Sequence, residues 1–294
     1  MTNGNKVISL REAVARTVRD GDTVFVGGFG QCIPYAAAHE IVRQGRKDLT
    51  LCRSGTDILF DMMVAAGCVR KVIAGYVGNP GVGLAHAFRR AVQNKTIEVE
   101  DWTNFSMVLR LHAGALGVPF LPSFTLHGGD LPERIALHRV VCPYTGETLS
   151  AIPALRPDVA IIHAQRADRH GNVQMFGLTG DSVDGALASY RILATVEEIV
   201  PDDIVRNLPD RTTVPGFRVD AVCAVPWGAH PSYVEDHYGR DDDFYREWDA
   251  ISRDEKTVAQ WIEANIRATA GFEDYIASLP PARLDALEQQ RKVR

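Results

Sequence analysis

The chain of 294 residues has no apolar run long enough to cross a bilayer as a helix, so a membrane-spanning role is not expected. It also lacks a basic tract. Lys and Arg number 32 against 37 Asp and Glu, for a formal net charge of -5. Nucleic acid is therefore not an expected partner. An anionic ligand must be held locally, by backbone N–H groups and a few arginines, against the overall charge. The opening residues, MTNGNKVISLREAV, hold no apolar stretch behind a basic start, so no secretory signal is expected. Cysteine is scarce and scattered. Cys32, Cys52, Cys68, Cys142 and Cys223 are odd in number and never in CxxC spacing. That argues against a disulfide framework or a zinc site and for a reducing cytoplasm. No repeat and no low-complexity linker divides the chain, so residues 1–294 read as a single domain.

What is present is organised around Thr23 to Pro34, TVFVGGFGQCIP. The β-branched run Thr23–Val26 suits a buried strand of an α/β sheet. Gly27, Gly28 and Gly30 then form a turn, and Pro34 suits the first position of the helix that follows. Glycines at the carboxyl end of a strand allow close approach of a ligand and leave N–H groups for an anion or oxyanion. This glycine spacing is neither the dinucleotide GxGxxG nor a Walker loop. On its own the cluster reads better as a tight strand-to-helix turn without a ligand.

Strand and helix patterns alternate along the chain. Ser9-Leu-Arg-Glu12 has capping-box spacing, and Leu10, Val14 and Val18 fall on one helical face. Strands are expected at Leu49–Cys52, Arg70–Ala74, Ile97–Glu100, Val159–Ile162 and Ile192–Val196, with helices between most of them. The segment Phe120–Asp130 reads as an apolar run ending in a loop, and Val140–Gly146 as a strand or hairpin edge. The fold class is α/β: a mainly parallel sheet with helices on both faces and a C-terminal helical extension over about 238–294. The strands end in the loops GGFG, RSGT, GYVGNPG and DWTN. Ligands of open α/β sheets bind outside the carboxyl ends of strands, so these loops are expected to share one cleft.

Catalytic constellations are thin. Glu100 and Asp101 are adjacent and point to opposite faces of a strand, so they cannot act as an acid–base pair. His163 and His170 lack metal-ligand spacing. Ser54 and Ser123 lack a nucleophile-elbow setting. Glu197-Glu198 has no glycine turn to expose a nucleophile.

Taken together, DGDTVFVGGFGQCIP, PYAAAHEIVRQGRKDLTL, VEDWTNFSMVLRLHAGALGVPFLP, DVAIIHAQRADRHGN, VPGFRVDAVCAVPWGAHPS and the YGRD of Tyr238 to Asp241 resemble class I coenzyme A transferases. The likeness covers most of the chain, in order, and is strongest to the alpha subunit of glutaconate CoA-transferase-like enzymes. It implies a CoA-transferase-like fold, a partner beta subunit in an alpha2beta2 assembly, and a cytoplasmic location. The substrates implied are an acyl-CoA thioester and a free carboxylic acid, dicarboxylic or 3-oxo. No permanently bound cofactor and no metal are implied. In the family a glutamate of the beta half attacks the thioester and carries CoA as a covalent intermediate. Its Ser-Glu-Asn-Gly type turn has no counterpart here, so the nucleophile is expected on the partner chain.

The resemblance also assigns site residues. Asn104, in Glu100-Asp-Trp-Thr-Asn-Phe-Ser106, falls where the family usually has a glutamine whose amide stabilises an oxyanion. Asparagine also serves well as a helix cap, so a purely structural role is the competing reading. Gly28, Gly30 and Gln31 are expected to face the cleft, with Ser54, Gly78, Ser123, His127 and Gly128 as weaker candidates for acyl contacts. Arg110 is a candidate for a substrate carboxylate, with a surface ion pair as the alternative. The interval from Phe29 to Pro34 is one residue shorter than in the glutaconate enzyme, which changes the expected pocket. A second reading is one half of a ring-opening hydrolase of CoA thioesters, whose relatives place a glutamate at the Asn104 position. An amide cannot replace that general base. A third is a non-catalytic ligand-binding protein on the same fold.

Overall fold

The computed structural model describes residues 4–291. The ends of the chain, and with them the last residues of the expected 238–294 extension, lie outside the described residues. In chain order the first half runs α1 (Leu10–Thr17), β1 (Thr23–Val26), α2 (Tyr35–Arg43), β2 (Leu49–Thr56), α3 (Ile58–Ala65), β3 (Val69–Val77), α4 (His86–Gln93), β4 (Glu98–Asp101) and α5 (Asn104–Leu116). The middle holds β5 (Phe120–Ser123), α6 (Leu131–Arg134), β6 (Arg139–Val141) and β7 (Thr148–Pro153). Then come β8 (Val159–Ala167), β9 (Val173–Gln174), α7 (Ser182–Ala188), β10 (Arg191–Ile199), α8 (Asp202–Asn207), β11 (Thr212–Val214) and β12 (Ala221–Ala224). The chain closes with α9 (Asp242–Arg253), α10 (Glu255–Ile262), α11 (Phe272–Ser278) and α12 (Pro281–Gln290).

Alternation along the strands assigns the two core layers. In β1 the side chains of Val24 and Val26 enter one core with Leu49, Leu51 and Val72, under α1, α2 and α3. Phe25, between them, enters the other with Cys52, Ile73 and Ile162, under α5 and α7. Successive side chains of a strand point to opposite faces, so a strand apolar on both faces must be covered on both. The expected mainly parallel sheet with helices on both faces is what forms. β4, β3, β2, β1, β8, β10 and β12 pair in that order, all parallel. β9 and β11 join antiparallel at the edge of β8. β5, β7 and β6 make a separate antiparallel sheet in the stretch that reads least regularly in sequence.

Chain order along this sheet reverses at β1. β2, β3 and β4 extend to one side, and β8, β10 and β12 to the other. The carboxyl end of β1, with Gly27 to Gly30, is therefore the switch point, where loops diverge and leave a crevice.

Local differences from the expected elements have local causes. Arg53 to Thr56 reads as a loop, yet it continues β2, because Arg53 pairs with Ala74 and Gly55 with Tyr76 of β3. Pro34 stands one place before α2, at its cap. Ser9 caps α1, accepting a hydrogen bond from the Glu12 N–H at 3.3 Å. The final helices pack onto α2 and α3 through Phe244, Trp248, Ile262, Ile266 and Tyr275. Buried polar bonds fix their position: Trp248 Nε1 donates to Asp61 at 2.9 Å, and the Tyr245 hydroxyl donates to Asp57 at 3.0 Å.

Candidate active site

A cavity of about 360 Å³ opens at the switch point. That is within the range of small-ligand sites. Each of the four loops contributes to it: Phe29 and Gly30 after β1, Arg53 to Asp57 at the end of β2, Tyr76 and Pro80 from β3 onward, and Asn104 after β4. Leu178, Tyr233, Arg240 and Tyr245 complete the wall.

Asn104 opens α5 but does not cap it. Thr103 does, in a reciprocal box: the Ser106 N–H donates to Thr103 Oγ1 at 3.1 Å, and the Thr103 N–H to Ser106 Oγ at 3.0 Å. The capping role that competes for the Asn104 side chain is thus filled by its neighbour. Its amide makes no hydrogen bond among the described residues and borders the cavity. Two glycines border it, and Gly75 sets its place. A methyl group on Gly75 would lie 2.5 Å from the Asn104 N and Oδ1, and one on Gly55 would lie 3.8 Å from its amide atoms. Asn104 can sit over the sheet because Gly75 leaves the room.

Beside it on β2 stands Arg53, 1% exposed. Its Nε and Nη1 have no hydrogen-bond partner among the described residues. Its guanidinium carbon lies 6.0 Å from the centre of the Phe29 ring. The one carboxylate in the wall, Asp57, is fully engaged. Oδ2 accepts from the hydroxyls of Tyr35 and Tyr245, and Oδ1 from the Leu59 N–H. Burial, with Asp57 nearby, holds the Tyr35 and Tyr245 phenols well above their ordinary range. Arg240 is also satisfied: it stacks 3.8 Å over the Tyr245 ring, pairs with Asp242 at 2.8 Å and donates to the Pro80 carbonyl at 2.7 Å.

Of the residues expected in the site, Gly30 and Asn104 line the cavity. Gly28 does not. Its φ of +88° lets the turn close, and its N–H donates to Ser182 Oγ at 2.7 Å. The Gly27 N–H is likewise spent, on Ile161. The expected free anion-binding N–H groups at these two glycines are therefore occupied by the fold. Gln31 is fully buried behind the wall, where Nε2 donates to the carbonyls of Phe176 and Leu178 at 2.8 and 2.9 Å. Ser54 points its N–H to Asp181 at 2.9 Å and is buried. Gly78 packs on the Tyr76 hydroxyl outside the wall. Ser123, His127 and Gly128 lie in and beyond β5, beside the small sheet, and do not line the cavity. Arg53, Tyr233, Arg240 and Tyr245 are wall residues that sequence pattern does not single out. For Arg53 a signal exists in its place in the RSGT loop, one of the four expected to share the cleft.

Arg110 is removed from candidacy as a carboxylate binder. It is buried, pairs with Glu100 at 2.8 Å, stacks 4.3 Å over the Trp102 ring, and does not line the cavity. Burial alone would raise the Glu100 pKa. Hydrogen bonds from Lys71 and Trp102 and the charge of Arg110 outweigh it and bring it down from 4.5 to about 2. A depressed folded-state pKa adds stability above the unfolded value, and that stability is lost as pH falls through the folded value. Urea midpoints of the wild-type chain should therefore fall between pH 4.5 and about 2 more steeply than those of Glu100→Gln. Equal slopes would rule out this contribution.

The remaining sequence candidates are structural. Glu197 lies on β10 rather than in an exposed turn. His163 Nε2 faces its Oε1 at 2.8 Å, the Tyr238 hydroxyl donates to the same atom at 2.6 Å, and the Trp227 N–H donates to Oε2 at 2.7 Å. His170 pairs with Asp202 at 3.1 Å. No group of His, Cys, Asp and Glu suited to a metal ion occurs among the described residues, and the five cysteines are free. No helix among the described residues is long and apolar enough to cross a membrane.

The fold and site define an α/β protein with a ligand cavity at the switch point of a parallel sheet and an unengaged amide in its wall. Residues 7–224 match the coenzyme A transferase family. The chain is 45% identical to the A-type subunit of 3-oxoadipate CoA-transferase from Pseudomonas knackmussii, over 93% of this chain and 98% of that one. It is 32% identical to the chain in the crystal structure of glutaconate coenzyme A-transferase from Acidaminococcus fermentans, with a TM-score of 0.91 over 96% of this chain and 95% of that one. The cholesterol ring-cleaving hydrolase IpdA subunit of Rhodococcus jostii is 30% identical over 92% and 94% of the two chains. The chain belongs to the coenzyme A transferase family, as a member of its alpha-subunit type.

Proposed function

We propose that this chain acts, as one unit over residues 1–294, as the alpha subunit of a two-subunit CoA-transferase. It moves CoA between an acyl-CoA and a free carboxylic acid. The observation that carries the reading is Asn104: an amide donor released from capping, facing a cavity whose one carboxylate, Asp57, is fully bonded. The cavity thus offers an oxyanion donor and no nucleophile. The nucleophile is a glutamate of a beta subunit, docked across the cavity mouth. Its carboxylate attacks the thioester carbonyl, and the charge that develops on the carbonyl oxygen is met by the Asn104 amide. Collapse expels CoA thiolate and leaves an acyl-glutamyl anhydride. The thiolate then attacks the glutamyl carbonyl, which frees the first acid and gives a glutamyl-CoA thioester. The acceptor acid takes the CoA by the reverse sequence. Water must be kept out of this exchange, because hydrolysis would waste the thioester. An amide at position 104 cannot activate water as a base, which disfavours the hydrolase reading.

The test is co-expression with the chain encoded beside it, purification through a tag on this chain, and a CoA-exchange assay between acids. A complex, of alpha2beta2 mass, that exchanges CoA and loses exchange when the partner's glutamate is changed supports the proposal. A complex that consumes acyl-CoA without an acceptor acid replaces it with hydrolysis. A lone chain without activity leaves a binding protein.

A further inference from the structure

The GGFG turn holds one residue that the fold does not use. The Gly27 and Gly28 N–H groups are spent on Ile161 and Ser182, and the Gln31 amide on the Phe176 and Leu178 carbonyls. Phe29 stays out of the core. It is 38% exposed and lines the cavity, so its ring is open to a ligand. The turn nevertheless holds it firmly. The Phe29 N–H donates to the Gln31 carbonyl at 3.1 Å, and Gly28 and Gly30 on either side have φ of +88° and +76°, which other residues rarely adopt. Behind Phe29 a methyl group on Gly180 would lie 2.4 Å from its Cβ and 2.9 Å from its Cγ, so backbone abuts the root of the side chain. In front the ring reaches the floor of the cavity. A methyl position on Gly55 is 3.4 Å from Phe29 Cε2 and 3.8 Å from Asn104 Nδ2. Ring edge and amide thus stand side by side over one glycine. With the carbonyl oxygen of a thioester at the Asn104 amide, the glutamate and the CoA sulfur both belong to the cavity mouth, where the partner docks. The remaining substituent of the tetrahedral carbon is the acyl chain, and its first carbon enters the cavity past Phe29.

We propose that Phe29 is a steric gate on the carbon next to the reacting carbonyl, selecting acyl groups unbranched at that carbon over those that carry a methyl there. This rests on the transferase reading for the place of the carbonyl. A CH2 group passes the ring edge. A methyl branch has to displace a side chain backed by Gly180, and forcing an extra carbon into a held site costs more than its burial returns. The ring discriminates by excluding the wrong acid rather than by attracting the right one.

CoA exchange is measured on the complex purified from the co-expression, in wild-type, Phe29→Leu and Phe29→Ala forms, with acetyl-CoA and succinyl-CoA as donors. The acceptors are butyrate, acetoacetate, succinate and adipate, each beside its form methylated next to every carboxylate. In the wild type, kcat/KM should be roughly ten- to two-hundred-fold lower for the branched member of each exchanging pair. Phe29→Ala should cut that ratio by roughly tenfold or more, and Phe29→Leu should cut it less. A wild type that handles both members equally overturns the proposal. So does a ratio unchanged in both variants, even where both rates fall, since the ring would then exclude water rather than substrate. Loss of the complex in both variants overturns it as well, because the ring would then serve assembly. Absence of exchange with every unbranched acid sinks the transferase reading and this proposal with it, whereas exchange without discrimination sinks this proposal alone.

Discussion

Assembled with its partner, an Asn104→Ala chain is expected to turn over about a hundred- to a thousand-fold more slowly than wild type, with little change in KM. The reason lies in when the interaction is made. The ground-state carbonyl oxygen carries a modest partial charge. In the tetrahedral intermediate it bears a full one, and a fixed donor nearby stabilises the second state more than the first. Asn104 is fixed by its position at the start of α5, by the Thr103–Ser106 box beneath it and by the space over Gly75. Its removal should leave the helix start intact, because Thr103 holds the cap. Steady-state CoA exchange gives the kcat and KM split, and thermal unfolding checks that the fold is kept. Asn104→Gln should restore most of the rate, since the donor returns one methylene further out. An alanine variant with unchanged kcat would remove Asn104 from the mechanism. Asn104→Glu introduces a possible base, and release of CoA to water rather than to an acid is the expected direction of change.

A second large effect is expected at Glu197, on stability rather than on rate. Its two oxygens satisfy His163, the Tyr238 hydroxyl and the Trp227 N–H in one buried cluster. Glu197→Ala leaves three donors without a partner. Breaking a buried pair in this way costs about 3–5 kcal/mol. The cluster joins β8 and β10 to the segment after β12, whose Gly228 carbonyl accepts from Ala36 of α2 and whose Tyr233 carbonyl accepts from Cys32. Loosening it should therefore lower the urea midpoint of the whole chain rather than fray one edge. Glu197→Gln keeps one acceptor and should lose less. A midpoint that does not move in Glu197→Ala would show that water replaces the carboxylate.

The sheet was legible because its signal is short-range. β-branched runs followed by glycine loops mark strand ends, and an α/β alternation leaves few arrangements open. The shared cleft followed from the same pattern. Individual wall residues did not follow so readily. Arg53 to Thr56 has the composition of a turn, and only the neighbouring β3 turns it into strand. Gly28 and Gln31 look like cleft residues in sequence, but Ser182 and the Phe176 and Leu178 carbonyls, more than 140 residues away, take up their polar groups. Tyr245 reaches Asp57 across 188 positions, a separation that no local pattern encodes. The resemblance pointed to Asn104, which lines the cavity. Its freedom from capping depended on a hydrogen bond made by Thr103.

The closing helices bear on how this protein can be re-engineered. The family match ends at residue 224, yet Tyr233, Arg240 and Tyr245 in the cavity wall come after it. Arg240 joins the Pro80 loop to the ring of Tyr245, and Tyr245 in turn holds Asp57. A graft boundary placed at the family limit would therefore cut through the pocket. Any chimera that exchanges this C-terminal segment with that of a relative also exchanges part of the cavity wall. Trimming it to shorten the chain would unroof the site.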